Sequence, residues 1–251
     1  MKGLALAAAL FAIGASALAA TSVSPAGPTV PANLLRIELH LDEPVAAALD
    51  PRHVRLFDAH GSEIANALLD LALPSRDGRS VALLLQPGRI KHGVRPNVER
   101  GLALQAGERV TLRVDDPVLS MPLEKTWTVT PAWTERIDPA AWSLTVPVAG
   151  SRSALALQFV APLPSSARQM IAVTDAQGRR VIGRAALARD ESGWRFLPAQ
   201  PWRAGHYAVH VHPALEDVSG NRVCAPFERR ELRAVDCTQD GVHEFVVSPL
   251  R

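Results

Sequence analysis

The stretch Val54-Arg55-Leu56-Phe57-Asp58-Ala59-His60-Gly61 decides the fold, because the chain writes it again as Ile171-Ala172-Val173-Thr174-Asp175-Ala176-Gln177-Gly178. In each copy a short apolar run meets Asp-Ala-x-Gly. The Asp can bond back to the chain, and the Gly supplies the positive φ that a tight turn needs. A further apolar position follows each turn, Ile64 in one and Val181-Ile182 in the other. Farther along, Ala106-Gly107 before Val110–Val114 returns as Ala204-Gly205 before Tyr207–Val211. A repeat of about a hundred residues, made of short strands and turns, means two tandem β-domains.

Working outward, Leu35, Ile37, Leu39 and Leu41 alternate with Arg36, Glu38 and His40, the period of two of a half-buried strand. Leu155, Leu157 and Phe159 open the second domain in the same way. Strands are expected around 64–73, 80–85, 110–114 and 126–130 in the first domain, and around Arg195-Phe196, Tyr207–Val211 and Phe245–Val247 in the second. Pro25, Pro28 and Pro31 mark residues 21–31 as an extended leader. Asp138-Pro139 within the junction suits a helical turn, with Asp as N-cap and Pro at N1. The expected organisation is a signal at 1–20, the leader at 21–31, domains at 32–131 and 148–251, and a junction at 132–147. Pro87–Gln105 is an insertion that the second copy lacks. It is read as a polar partner-binding surface whose deletion should leave the fold intact.

Residues 1–20 combine Lys2, an apolar run from Leu4 to Ile13 and a small-residue end at Ser16–Ala20, the pattern of a cleavable secretory signal. The run is short for a membrane span, and no other segment approaches eighteen uninterrupted apolar residues. An exported protein of the periplasm or cell surface is therefore expected. The net charge of +2 is spread without a basic stripe, which argues against nucleic acid as a partner. Cys224 and Cys237, with twelve residues between them in an exported chain, read as a disulfide worth roughly 3 kcal/mol.

The second copy carries Leu155-Ala156-Leu157-Gln158-Phe159 with Pro162-Leu163 and then Asp175-Ala176-Gln177-Gly178. Trp194–Pro198, Pro201–Tyr207 and Glu216-Asp217-Val218-Ser219-Gly220-Asn221 follow. This pattern resembles the bacterial immunoglobulin-like domains of S-layer and other exported surface proteins. The resemblance is sharper in the second half; Asp115–Ser120 of the first copy lacks the Gly-Asn. It implies an all-β fold of two tandem Ig-like β-sandwiches and an interaction or structural module, and it carries over no catalytic residue.

Three residue sets offer chemistry. His206, His210 and His212 share strand parity, and exposed imidazoles suit Cu(II), Ni(II) or Zn(II). Some periplasmic copper carriers are also single β-sandwiches with His ligands, so a copper or zinc carrier is one alternative. The other reading of the same row is the solvent face of a strand whose core face is Tyr207, Val209 and Val211. Glu216, Asp217 and Asn221 offer oxygen ligands for Ca²⁺, or equally a turn in which Asp217 accepts backbone N–H groups. Trp194, Phe196, Trp202 and Tyr207 form either a sugar-stacking platform or a sandwich core. Nucleophile-elbow, zincin and phosphate-loop motifs are missing, so an enzyme is not expected. The expectation is a non-enzymatic binding or structural module of the cell envelope that needs no cofactor. Its partner would be a protein or glycan; a carbohydrate-binding module is a further alternative.

Overall fold

Alternation along the strands sorts side chains between core and solvent. In Arg36–His40, Ile37 and Leu39 are buried while their neighbours stay half-exposed. The computed structural model describes residues 21–45, 47–90, 95–228 and 241–249. The signal-like segment 1–20 and Cys237 lie outside the described residues, so export and the Cys224–Cys237 pairing remain expectations. None of the described cysteine is free.

The first sandwich contains β1 (Ser22–Ser24), β2 (Thr29–Pro31), β3 (Arg36–His40), β4 (Val54–Phe57), β5 (Leu68–Pro74), β6 (Ser80–Leu85), β7 (Arg109–Val114) and β8 (Leu123–Thr130). One sheet has the order β1-β3-β6-β5 and the other β2-β8-β7-β4. The second sandwich contains β9 (Ser143–Thr145), β10 (Leu155–Gln158), β11 (Ile171–Asp175), β12 (Gly183–Leu187), β13 (Gly193–Pro198), β14 (Gly205–Val211) and β15 (Gly241–Val247). Its sheets run β9-β10-β13-β12 and β11-β14-β15. Both halves therefore follow the immunoglobulin order, with strands A-B-E-D facing C-F-G. The fold is all-β, two tandem Ig-like sandwiches.

The first strand of the first sandwich is split. β1 pairs antiparallel with β3, and β2 then crosses to pair parallel with β8. Residues 21–31 are thus strands, not a leader. Three prolines hide them from a pattern search, yet an edge strand tolerates proline because its outer N–H groups need no partner. Trp127 secures the crossover, its indole N–H donating to Pro25 O at 2.9 Å. The second sandwich likewise begins earlier than expected, at β9 inside residues 132–147. There the Ala149 N–H to Ser248 O bond of 3.0 Å takes the place of the second half-strand. The junction turn forms as its sequence suggests, with the Asp138 side chain accepting from Ala140 N–H.

Sandwich 1 has an aliphatic core around Ile37, Leu39, Leu83, Leu85, Leu112 and Trp127. Sandwich 2 has an aromatic one. Trp194 stacks on Phe196 at 5.8 Å, and Trp202 meets Tyr207 edge-on at 5.3 Å. Tyr207, at the start of β14, donates its hydroxyl to Arg203 O at 3.1 Å, the tyrosine-corner bond of this fold.

The insertion departs from its polar reading. It holds the short helices α1 (Pro87–Ile90) and α2 (Arg95–Arg100). Ile90 and Leu104 are 1% and 2% exposed and belong to the core of sandwich 1. Residues 91–94 of it lie outside the described residues.

Candidate functional site

Among the described residues the Asp-x-x-Gly turn takes one geometry at Asp58, Asp175 and Asp217. Asp58 Oδ1 accepts from His60 N and Ser62 N. Asp175 Oδ1 accepts from Gln177 N and Arg179 N. Asp217 Oδ1 accepts from Ser219 N at 2.8 Å and Asn221 N at 2.9 Å. In all three the glycine has positive φ, at 80°, 73° and 82°. The first two turns stand in solvent, where the chain leaves β4 or β11 for the opposite sheet. The third is buried between the sandwiches, and it builds the junction.

There Val218, 3% exposed, enters the core of sandwich 1. Its carbonyl accepts from Leu35 N at 2.8 Å and Arg36 N at 3.3 Å. Asn33, just past β2, supplies the matching polar group. Asn33 Oδ1 accepts from Ser219 Oγ at 2.9 Å and from Trp133 N at 2.9 Å, and Asn33 Nδ2 donates to Trp133 O at 2.7 Å. Asn221 Nδ2 donates to Trp133 O and to Asp217 Oδ2, while Asn221 Oδ1 accepts from Phe227 N. A side chain at Gly220 would meet Leu35 Cδ2 at 2.9 Å, so positive φ and close approach both require glycine there. These buried polar groups are mutually satisfied, which fixes one relative placement of the domains.

A second contact lies at the β12–β13 turn. Glu191 sits at φ 62° with 6% exposure, and its Oε2 accepts from Ala26 N at 3.0 Å. Lys125 Nζ donates to Ala26 O at 2.8 Å, Ser165 Oγ donates to Glu38 Oε2 at 2.8 Å, and Arg36 lies 3.8 Å from Glu216. Burial pushes the carboxyls of Glu191 and Asp217 above their ordinary values, against the hydrogen bonds that favour the anions. Glu38 adds repulsion at Glu191, and Lys125 opposes it.

The sign of the pH effect follows. A raised folded-state value means stability fully present below the ordinary carboxyl value, 4.5 for Glu191, and lost as pH rises through the raised value. The junction is therefore tightest in mild acid. Toward stronger acid the stability of sandwich 1 itself falls, because the Arg52 hydrogen bond holds Asp50, outside the junction, down at about 2. Glu191→Gln is expected to raise the melting temperature at neutral pH and to flatten its decline between mild acid and neutrality. Calorimetric scans across that range check this; a decline as steep as in the wild type would show that Glu191 is not its source.

The other residue sets are placed as follows. Glu216 pairs with Arg222 outside the Asp217 turn, and Asp217 is used up by backbone and Asn221 donors. His206 is exposed on the outer face of β14; His210 Nε2 lies 3.0 Å from Thr174 Oγ1, and His212 Nδ1 accepts from Ala214 N at 3.1 Å. Among the described residues no three His, Cys, Asp or Glu side chains are gathered to hold one ion. Of the two readings of the aromatic set, the structure has the core and not the platform. Trp194 and Trp202 are 0% and 3% exposed and Phe196 is buried, so the core has taken the rings a sugar would need. Asn33 and Glu191 escape a sequence reading because each looks like an ordinary loop residue; only the partner domain makes them buried.

No protein-family model matches the chain, and no curated protein matches it. Solved structures do. CopC from Methylosinus trichosporium OB3b is 17% identical over 45% of this chain and 94% of its own, with a TM-score of 0.25. The titin Ig tandem domains are 13% identical over 89% and 91%, at 0.27, and domains 5-6 of the S-layer protein SbsC are 9% identical over 93% and 99%, at 0.28. Such likenesses add nothing to what the strand order already establishes.

Proposed function

We propose that this protein is an exported, non-enzymatic binding or structural module of the cell envelope, built as a two-sandwich unit of fixed shape. The observation that carries this reading is the satisfied polar junction of Asn33, Asp217, Ser219 and Asn221, which holds two sandwiches that sequence repetition alone would leave free to swing. Domain pairs within a chain move by default unless a large hydrophobic interface holds them; here Val218 enters the core of sandwich 1, and the buried polar groups around it are satisfied in one arrangement. A fixed pair sets a distance and an angle between its outer surfaces, which is what a spacer or presenting module needs. Export is supported by the signal-like residues 1–20 and by the paired spacing of Cys224 and Cys237. Among the described residues no helix is long and apolar enough to cross a membrane.

Small-angle X-ray scattering on the mature chain tests the reading. One rigid two-domain arrangement is expected to fit the profile at low and high salt alike, since buried hydrogen bonds are screened little. A profile that requires an ensemble of interdomain angles would overturn it. Mass spectrometry of the exported protein is expected to find an N-terminus near Ala20 or Thr21 and two fewer hydrogens than the dithiol form.

A further inference from the structure

The two A-B-E-D sheets differ on their outer faces. In sandwich 1 the loops of sandwich 2 reach over the start of that face, and there Arg36 takes a carboxylate from Glu216. In sandwich 2 the corresponding face is open. Arg184 on β12 and Arg195 on β13 point outward from it, and each is exposed. Arg184 stands opposite Leu197, and Arg195 opposite Ala186, so the guanidiniums are diagonal neighbours, with backbones about 7–8 Å apart. Ala156 flanks Arg195 from β10, leaving low relief on both sides. Ile182 and Leu197, on the same face, are 71% and 54% exposed. Among the described residues no carboxylate shares the face; its other outward positions on β9 and β10 are neutral, such as Thr145 and Gln158. Among the described residues neither Arg184 nor Arg195 has an ion-pair partner. Toward the end remote from sandwich 1 the face runs into an open groove of about 530 Å³, lined in part by Ile182, Pro198, Arg203 and His206. Asp175 also lines that groove, but its carboxylate is held by Arg179 at 3.0 Å.

We propose that this face of sandwich 2 docks an acidic polypeptide segment, whose carboxylates pair with Arg184 and Arg195 and whose aliphatic side chains cover Leu197 and Ile182. The proposal deepens, and rests on, the binding-module reading. Charge complementarity supplies the sign of the partner: two unneutralised guanidiniums with no facing carboxylate attract an anion and repel a basic segment. The aliphatic pair supplies the class. Ile182 and Leu197 gain nothing from a polyanionic glycan or a nucleic acid backbone, but they match the alternating side chains of an extended peptide. The junction already uses the same recognition once, between Arg36 and Glu216.

The test is an NMR titration of the full mature chain with an acetylated peptide of alternating Glu and Val, beside the Lys-Val analogue and alginate. Expected are shifts confined to β12, β13 and the adjoining groove with the Glu peptide, and none with the Lys peptide. Arg184→Glu/Arg195→Glu should weaken the Glu peptide by at least about tenfold, by the worth of two exposed pairs, and make the Lys peptide the better ligand. Leu197→Ser should weaken it less. Shifts elsewhere, equal binding by the charge-reversed variant, or tighter binding of alginate at the same residues would each overturn the proposal. Self-association of the free chain through this face, seen by sedimentation, would overturn it in favour of a second copy. Scattering on the same samples separates the failures: no binding with the rigid shape intact removes this proposal alone, whereas a flexible chain removes the underlying reading.

Discussion

Deleting residues 87–105 is expected to unfold the first sandwich, not to trim its surface. Ile90 and Leu104 are essentially inaccessible, and each truncation of such a side chain costs about 2–5 kcal/mol. Arg89 adds a polar clamp, with Nε donating to Gly101 O at 2.9 Å and Nη1 to Ala65 O at 2.7 Å. Removing it leaves the Ala65 carbonyl without that donor. The combined loss is comparable to the whole stability of a domain, about 5–15 kcal/mol. Denaturant unfolding followed through the amide NMR signals of β3, β6 and β7 checks this. The deletion variant should lack the cooperative transition of sandwich 1, while Val98→Ser, at a position 76% exposed, should stay within about 0.5 kcal/mol of the wild type. A deletion variant with a wild-type midpoint would show that the insertion only decorates the sandwich.

Asp217→Ala is expected to cost about 2–4 kcal/mol, against under about 1 for Asp175→Ala. The two carboxylates hold the same turn, so the comparison isolates burial. At Asp175 water replaces the lost acceptor. At Asp217 the N–H groups of Ser219 and Asn221 and the Asn221 amide would be left without their acceptor beside Val218 and Leu35. The loss stays below the sum of three orphaned donors because burying the Asp217 carboxylate is itself unfavourable, as its raised proton affinity shows. Thermal unfolding of both variants decides the matter, and scattering should show Asp217→Ala gaining interdomain freedom. Equal losses at the two sites would remove the argument that the junction holds the domains.

What could be read from the chain alone was whatever is encoded within a few neighbouring residues. Alternation placed Ile37, Leu39, Leu155 and Leu157 in cores, because a strand's side chains alternate faces whatever it pairs with. The Asp-Ala-x-Gly turns formed as expected, because Asp and Gly act on their own backbone. Two sandwiches followed from the repeat. Only the tertiary structure decided that residues 21–31 are strands, that the insertion is partly core, and that the aromatic set is interior. It also decided that the third turn, chemically equal to the other two, is a buried key. The bonds responsible join residues far apart in the chain: Ser219 to Asn33 across 186 positions and Ala26 to Glu191 across 165. No local pattern specifies such a contact, since burial of a polar side chain depends on which surface arrives to cover it.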